Sequence, residues 1–246
     1  MILFLLISFM KRIYLNNKLE EDLIHLLDFE NFIHLSKVIR LKAKDEIVLF
    51  NNRDGEWLAV IEKVAKKSIE VRSLMKLANP KSIPSIDLLF SPIKYQNSET
   101  IIRQATEIGI RKFYPTIFNR TVVDKVNMVK FSSYALSASQ QSGRTQIPEI
   151  NKLLKIDQQK EFLKNKNLLM FDENLEGNSL DKIKIDPNSD IIVIVGPEGG
   201  FSEKDRSLIQ TFSNNFHNLH MGQRILKADT AIVSALSLVF HYFDRD

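Results

Sequence analysis

The chain has no cysteine among its 246 residues. That excludes disulfides, thiolate zinc sites and a cysteine nucleophile. Histidine is scarce: His25, His34, His217, His220 and His241 complete the set. None stands in an H-E-x-x-H or similar metal-binding spacing, so no metal is expected. No apolar run reaches the ~20 residues of a membrane-spanning helix. The nearest approach is Met1–Met10, MILFLLISFM. It lacks the leading basic residues and small-residue cleavage site of a signal peptide. The preferred reading starts translation at Met10; the alternative is a short membrane-associating tail. A cytoplasmic protein without a membrane partner is expected. There is no internal repeat and no low-complexity tract.

What is present is ordinary for a folded protein. Apolar residues make up 44% of the chain and charged residues 26%, enough for a substantial core in one large or two modest domains. A net charge of +4 permits a polyanionic partner without demanding one.

Patterning divides the chain in two. From Lys11 to about Leu77 it reads as short strands, beginning with Arg12–Leu15. Asn31–Arg40 carries a helical apolar period. Glu46–Phe50 and Glu56–Val64 flank the turn residues Asn51–Gly55 as a hairpin, and Ser68–Leu74 adds a strand. A small β-barrel-like unit over residues 10–78 is expected. Asn79–Pro84 is its junction with a second domain over residues 85–246. There, strands alternate with helices: Ile86–Phe90, the helix Ser98–Gly109 with Ser98 as N-cap, Lys112–Phe118, the helix Val126–Gln141, Leu168–Asp172, Ile191–Val195, a helix capped by Ser202 and Asp205, His217–Met221, and the helix Thr230–Phe243. Such alternation predicts an α/β fold with a mostly parallel sheet.

Ligands of open parallel sheets bind beyond the carboxyl ends of strands. The loop Gly196-Pro197-Glu198-Gly199-Gly200 follows the β-branched run Ile191–Val195. Its glycines let backbone approach a ligand closely. Phosphate is disfavoured, because the G-K-[ST] and G-x-G-x-x-G spacings are absent and the loop carries a carboxylate, Glu198. A cationic ligand or a proton acceptor suits it better, and a tight strand-to-helix turn without ligand explains the glycines equally well. The segment from Met221 to Ala231 places Arg224 and Lys227 before an apolar helix. These bases are either solvated or hold RNA phosphate.

Taken together, VGPEGGFSEKD at 195–205 and MGQRILKADTA at 221–231 resemble the RsmE family. These are SPOUT-class methyltransferases acting on N3 of a uridine in small-subunit ribosomal RNA. HLSKVIRLKAKDEIVLF at 34–50, ATEIGI at 105–110, NRTVV at 119–123 and SASQQSGR at 137–144 are similar to family signatures as well. The likeness runs from Lys11 to the end. It departs where the family's Arg-x-Glu-Thr-Ala is Lys227-Ala228-Asp229-Thr230-Ala231 here; lysine lacks arginine's bidentate fork.

The resemblance implies a Rossmann-like sheet with a C-terminal trefoil knot, a PUA-like RNA-binding barrel, and a homodimer. It implies S-adenosylmethionine as cofactor, held near Phe171, Gly196, Pro197, Gly199, Gly200, Met221, Gly222, Ile225, Leu226 and Thr230. Glu198 is the expected base or orienting group, and Arg224 the expected stabiliser of charge on a uracil oxygen. Arg40, Lys94, Arg120 and Arg144 are expected to contact RNA, the small-subunit ribosomal RNA being the partner.

Overall fold

The computed structural model describes residues 10–27, 41–65, 67–93, 95–173, 177–186 and 188–243. The predicted helix over Asn31–Arg40, together with Arg40 and Lys94, lies outside them. The chain divides into two units. One takes what is described up to Ser82 together with Ser139–Ile147; the other takes Ile83–Ala138 and the remainder from Pro148. Residues 139–147, expected with the second domain, thus group with the first.

The first unit is a five-stranded sheet in the order β1-β3-β4-β5-β2. Its strands are β1 (Arg12–Tyr14), β2 (Ile24–Leu27), β3 (Glu46–Asn51), β4 (Gly55–Val64) and β5 (Ile69–Ala78). β2 carries no turn-bounded apolar alternation long enough to be read in advance. β4 and β5 pair antiparallel with register shifts at Glu56/Trp57, Leu58/Ala59 and Ile61/Lys63. Such irregularities bend a strand and increase its twist, which curls the sheet around a core of Ile13, Leu27, Ile47, Leu49, Ile61 and Val71. Arg12 stacks on the Phe50 ring at 4.3 Å, pairs with Glu56 and donates to the carbonyls of Ser139 and Arg144. That is how residues 139–147 join this unit.

The second unit is a parallel sheet in the order β12-β10-β11-β6-β7-β8, with β9 also on β7. Its strands are β6 (Ile86–Phe90), β7 (Lys112–Ile117), β8 (Glu149–Ile150), β9 (Leu154–Lys155), β10 (Asn167–Phe171), β11 (Ile191–Val195) and β12 (Phe216–Leu219). Every residue of β11 is buried, as a central parallel strand covered on both faces requires.

The four longer helices are α1 (Tyr95–Ile108), α2 (Met128–Ser142), α3 (Glu203–Gln210) and α4 (Ala228–Phe243). Three starts differ from the sequence reading, α2 beginning at Met128 rather than Val126. α1 begins before Ser98, whose hydroxyl instead donates to the Ile93 carbonyl at 2.7 Å, so Ser98 ties down the approach to the helix rather than capping it. α4 begins at Ala228, and Asp229 and Thr230 lie inside its first turn. The capping box at Ser202 and Asp205 is formed as predicted. No helix among the described residues is long and apolar enough to cross a membrane.

Candidate active site

The sheet order sets β12, β10 and β11 side by side. Parallel register aligns Phe171 with Val195 and with Leu219, so the loops leaving the three strands rise together. Between them lies a cleft of about 390 Å³. Its walls include Phe171, Gly196, Pro197, Glu198, Gly200, Met221, Gly222, Arg224, Ile225 and Leu226. These residues come from three separate segments, and the sequence reading had named all of them.

The first loop is shaped by a turn in which Gly200 N–H donates to the Pro197 carbonyl at 2.8 Å. This lifts Glu198 to the exposed tip while Gly196, Pro197 and Gly200 stay buried. Gly200 has φ +68, a region costly for side chains with a Cβ. A Cβ there would also fall on the Glu173 carboxylate, so the glycine leaves room for that acid at the cleft wall. At Gly196 an added Cβ would stand 3.0 Å from the Phe201 ring, which is 2% exposed and meets Phe118 edge-on at 5.2 Å.

Two expected cofactor residues do not reach the cleft. Gly199 faces away, under the stem and guanidinium of Arg120, whose Nη1 donates to its carbonyl at 2.8 Å. Thr230 is exposed on α4 and absent from the wall. Arg144, expected to contact RNA, turns its Nε to the Gln146 carbonyl at 2.6 Å. Burial lowers its pKa to about 10.

Sequence reasoning gave no ligand role to three acids of the cleft, Asp172, Glu173 and Asp229. Asp172 directly follows Phe171, and the acidic pair at a strand's carboxyl end was the available signal. Its carboxylate is fully buried and accepts Arg206 Nε at 2.5 Å and Nη2 at 3.1 Å. That hydrogen bond raises the Arg206 pKa. Arg206 sits on α3, so the pair binds the loop after β10 to the helix after the glycine loop. Lys227 also lines the cleft. The site therefore combines exposed carboxylates, exposed cations and an apolar wall, a set suited to a ligand with both charged and aromatic parts. No cluster of metal-ligating side chains occurs among the described residues.

Residues 79–240 match the RNA methyltransferase domain model, and residues 27–72 match the RNA methyltransferase PUA domain. The ribosomal RNA small subunit methyltransferase E of Rickettsia conorii is 34% identical over 232 residues, covering 93% of this chain and 94% of its own. A Legionella pneumophila structure with the cofactor SAM bound superposes with a TM-score of 0.87 at 28% identity, covering 95% of this chain and 98% of the other. Ribosomal RNA small subunit methyltransferase E of Neisseria gonorrhoeae shares the fold, with a TM-score of 0.84 at 23% identity over 95% of this chain and 98% of that one. A curled barrel sheet, a parallel sheet with a three-loop cleft, and a full-length relative at one-third identity lead to one conclusion: the chain belongs to the ribosomal RNA small subunit methyltransferase E family.

Proposed function

We propose that this protein methylates N3 of a uridine in small-subunit ribosomal RNA, using S-adenosylmethionine held in the three-loop cleft. The observation that carries the reading is the meeting of Glu198 and Arg224 in one cleft with the glycine loop. The residues fit the cofactor. Glu173 and Asp229 supply negative charge for its sulfonium and ammonium groups. Phe171, Val195, Ile225 and Leu226 offer apolar surface for its adenine. When bound, the cofactor supplies an activated methyl group on sulfur.

The protein's own groups do the rest. Uracil N3 carries a proton that must leave for the nitrogen to act as nucleophile. Glu198, at the exposed loop tip, accepts it, and the always-charged Arg224 stabilises the negative charge left on a uracil carbonyl oxygen. N3 lies on the pairing face, so the base enters unpaired or flipped out. The barrel of residues 10–78 contributes RNA contacts to the methyltransferase domain of residues 85–246, with Arg40, Lys94, Arg120 and Arg144 as the bases assigned to RNA. The enzyme works in the cytoplasm as a homodimer on the assembled subunit.

A C-terminal trefoil knot is part of the same proposal. In support, the segment after β10 runs outside β12: Asn178 N–H donates to Asn218 O at 2.8 Å, and His220 N–H donates to Asn178 O at 3.2 Å. The chain then returns to β11 on the far side of β10. Tyr242 near the end of α4 donates to Ile183 within that same returning segment, at 3.1 Å.

Glu198→Gln and Arg224→Ala test the roles, with methyl transfer and cofactor binding measured separately. Methyl transfer should fall at least about a hundredfold in each variant, with cofactor binding retained. Wild-type methylation in both would overturn the assignment. Mass-spectrometric mapping of ribosomal RNA from cells lacking the protein should reveal one lost N3-methyluridine.

A further inference from the structure

The start of the loop between β7 and α2, Phe118 to Thr121, is fastened around the glycine loop. The Phe118 ring packs edge-on against Phe201 at 5.2 Å. Asn119 N–H donates to the Asp205 carboxylate at 3.1 Å, the same carboxylate that closes the capping box of α3. Thr121 Oγ1 accepts from Phe118 N–H and lies 2.9 Å from Ser91 Oγ, and Ser91 N–H donates to the Val195 carbonyl at 3.3 Å. Between these anchors Arg120 Nη1 donates to Gly199 O at 2.8 Å.

The Arg120 bond has a particular effect. Gly199 O and Gly200 N–H belong to one peptide unit. Pro197 O holds its N–H end and Arg120 holds its C=O end. A peptide between two glycines meets little steric resistance to rotation, so its orientation depends on such partners. Gly200 lines the cleft while Gly199 lies outside it. The Arg120 guanidinium is exposed and carries five N–H donors, of which one is spent on Gly199. The rest can engage a phosphate from solvent.

We propose that Arg120 is a positioning residue that pins the Gly199–Gly200 peptide and also takes an RNA phosphate, so that RNA and cofactor bind cooperatively. This rests on the cofactor cleft proposed above. A phosphate on the outer edge of the guanidinium restrains the side chain, and the restrained side chain holds the peptide in its cofactor-ready orientation. By linkage the effect is reciprocal: cofactor strengthens RNA binding by the same factor.

The test measures affinity for S-adenosylhomocysteine, which cannot donate methyl, by equilibrium dialysis. It is done with and without small ribosomal subunits lacking the modification, for the wild type, Arg120→Lys and Arg120→Ala. In the wild type, subunits should tighten binding at least about fivefold. Arg120→Ala should weaken binding about tenfold without subunits, as loss of a charged hydrogen bond does, and should abolish the subunit effect. Arg120→Lys should keep subunit affinity yet lose the cooperativity, because one ammonium cannot hold carbonyl and phosphate in the fixed geometry of a guanidinium. In steady state, Arg120→Ala should raise KM for cofactor more than it lowers kcat. Wild-type cofactor affinity in Arg120→Ala, or an undiminished subunit effect in either variant, would overturn the proposal and leave the cleft assignment standing. A wild-type protein that binds no S-adenosylhomocysteine would overturn the cleft assignment itself.

Discussion

Arg206 donates through two nitrogens to the carboxylate of Asp172, an acid with no exposed side-chain surface. The two residues stand on different elements, β10's exit and α3, and join the walls of one cleft. Removing the cation leaves a buried carboxylate without its charged partner, a loss that costs about 3 kcal/mol.

Arg206→Met should therefore lower the melting temperature by roughly 6–12 °C. It should also weaken cofactor binding, because both cleft loops lose their tie. Arg206→Lys should recover charge but only part of the stability, lacking the fork. Thermal denaturation with calorimetric cofactor titration reads both, and an unchanged melting point in Arg206→Met would refute the role of the pair.

Gly200→Ala should weaken cofactor binding. The main penalty is a positive φ costing about 1–2 kcal/mol; the Glu173 carboxylate, the far end of an exposed and flexible side chain, must also move aside. Adding Glu173→Ala removes that obstacle and leaves the strain. The double variant should then be more stable than Gly200→Ala alone, and a double-mutant cycle by urea denaturation measures the difference. Strict additivity would mean the two side chains do not meet.

Ser202→Ala and Asp205→Ala both break the capping box of α3, at about 1 kcal/mol each. Asp205 also accepts the Asn119 N–H and is 2% exposed. Asp205→Ala should consequently be the more damaging by about a further 1 kcal/mol. Equal urea midpoints for the two variants would show that the Asn119 bond contributes nothing.

Stability should fall in mild acid through His25. Its ring is buried in the barrel sheet with Nε2 2.9 Å from Ser73 Oγ, and burial lowers its pKa. The unfolded chain takes up a proton near pH ~6.5 that the folded one resists. The contribution is thus present above that pH and lost as pH drops through the depressed folded value. His217 shifts in the same direction. The melting temperature should drop between about pH 7.5 and pH 5, and His25→Gln should shrink the drop without abolishing it. An identical drop in the variant would exclude His25.

Local signals were the readable part of this chain. The β-branched run of β11, the Ser202–Asp205 box and the glycine loop each declare themselves within a few residues. Phe171, Glu198 and Arg224 were found because they sit at strand ends, and family likeness joined them into one site. Relationships across distance were not readable. Asp172 and Arg206 are separated by 34 positions, and no periodicity links them. Gly199 looked like its neighbours in sequence, yet the turn faces it toward Arg120. Ser98 has the chemistry of an N-cap, but the preceding backbone at Ile93 satisfied that chemistry in another way.

The assignment of Ser139–Ile147 to the barrel unit bears on how this protein can be cut. Arg12 reaches the carbonyls of Ser139 and Arg144, and Tyr14 N–H reaches the Gln140 side chain. A fragment ending near residue 78 would therefore leave the barrel's first strand facing solvent where those partners belong. The barrel unit is discontinuous along the chain, completed by residues translated some sixty positions after its last strand. It should be poorly soluble when expressed as an N-terminal fragment, and a version carrying residues 139–147 on a linker should behave better.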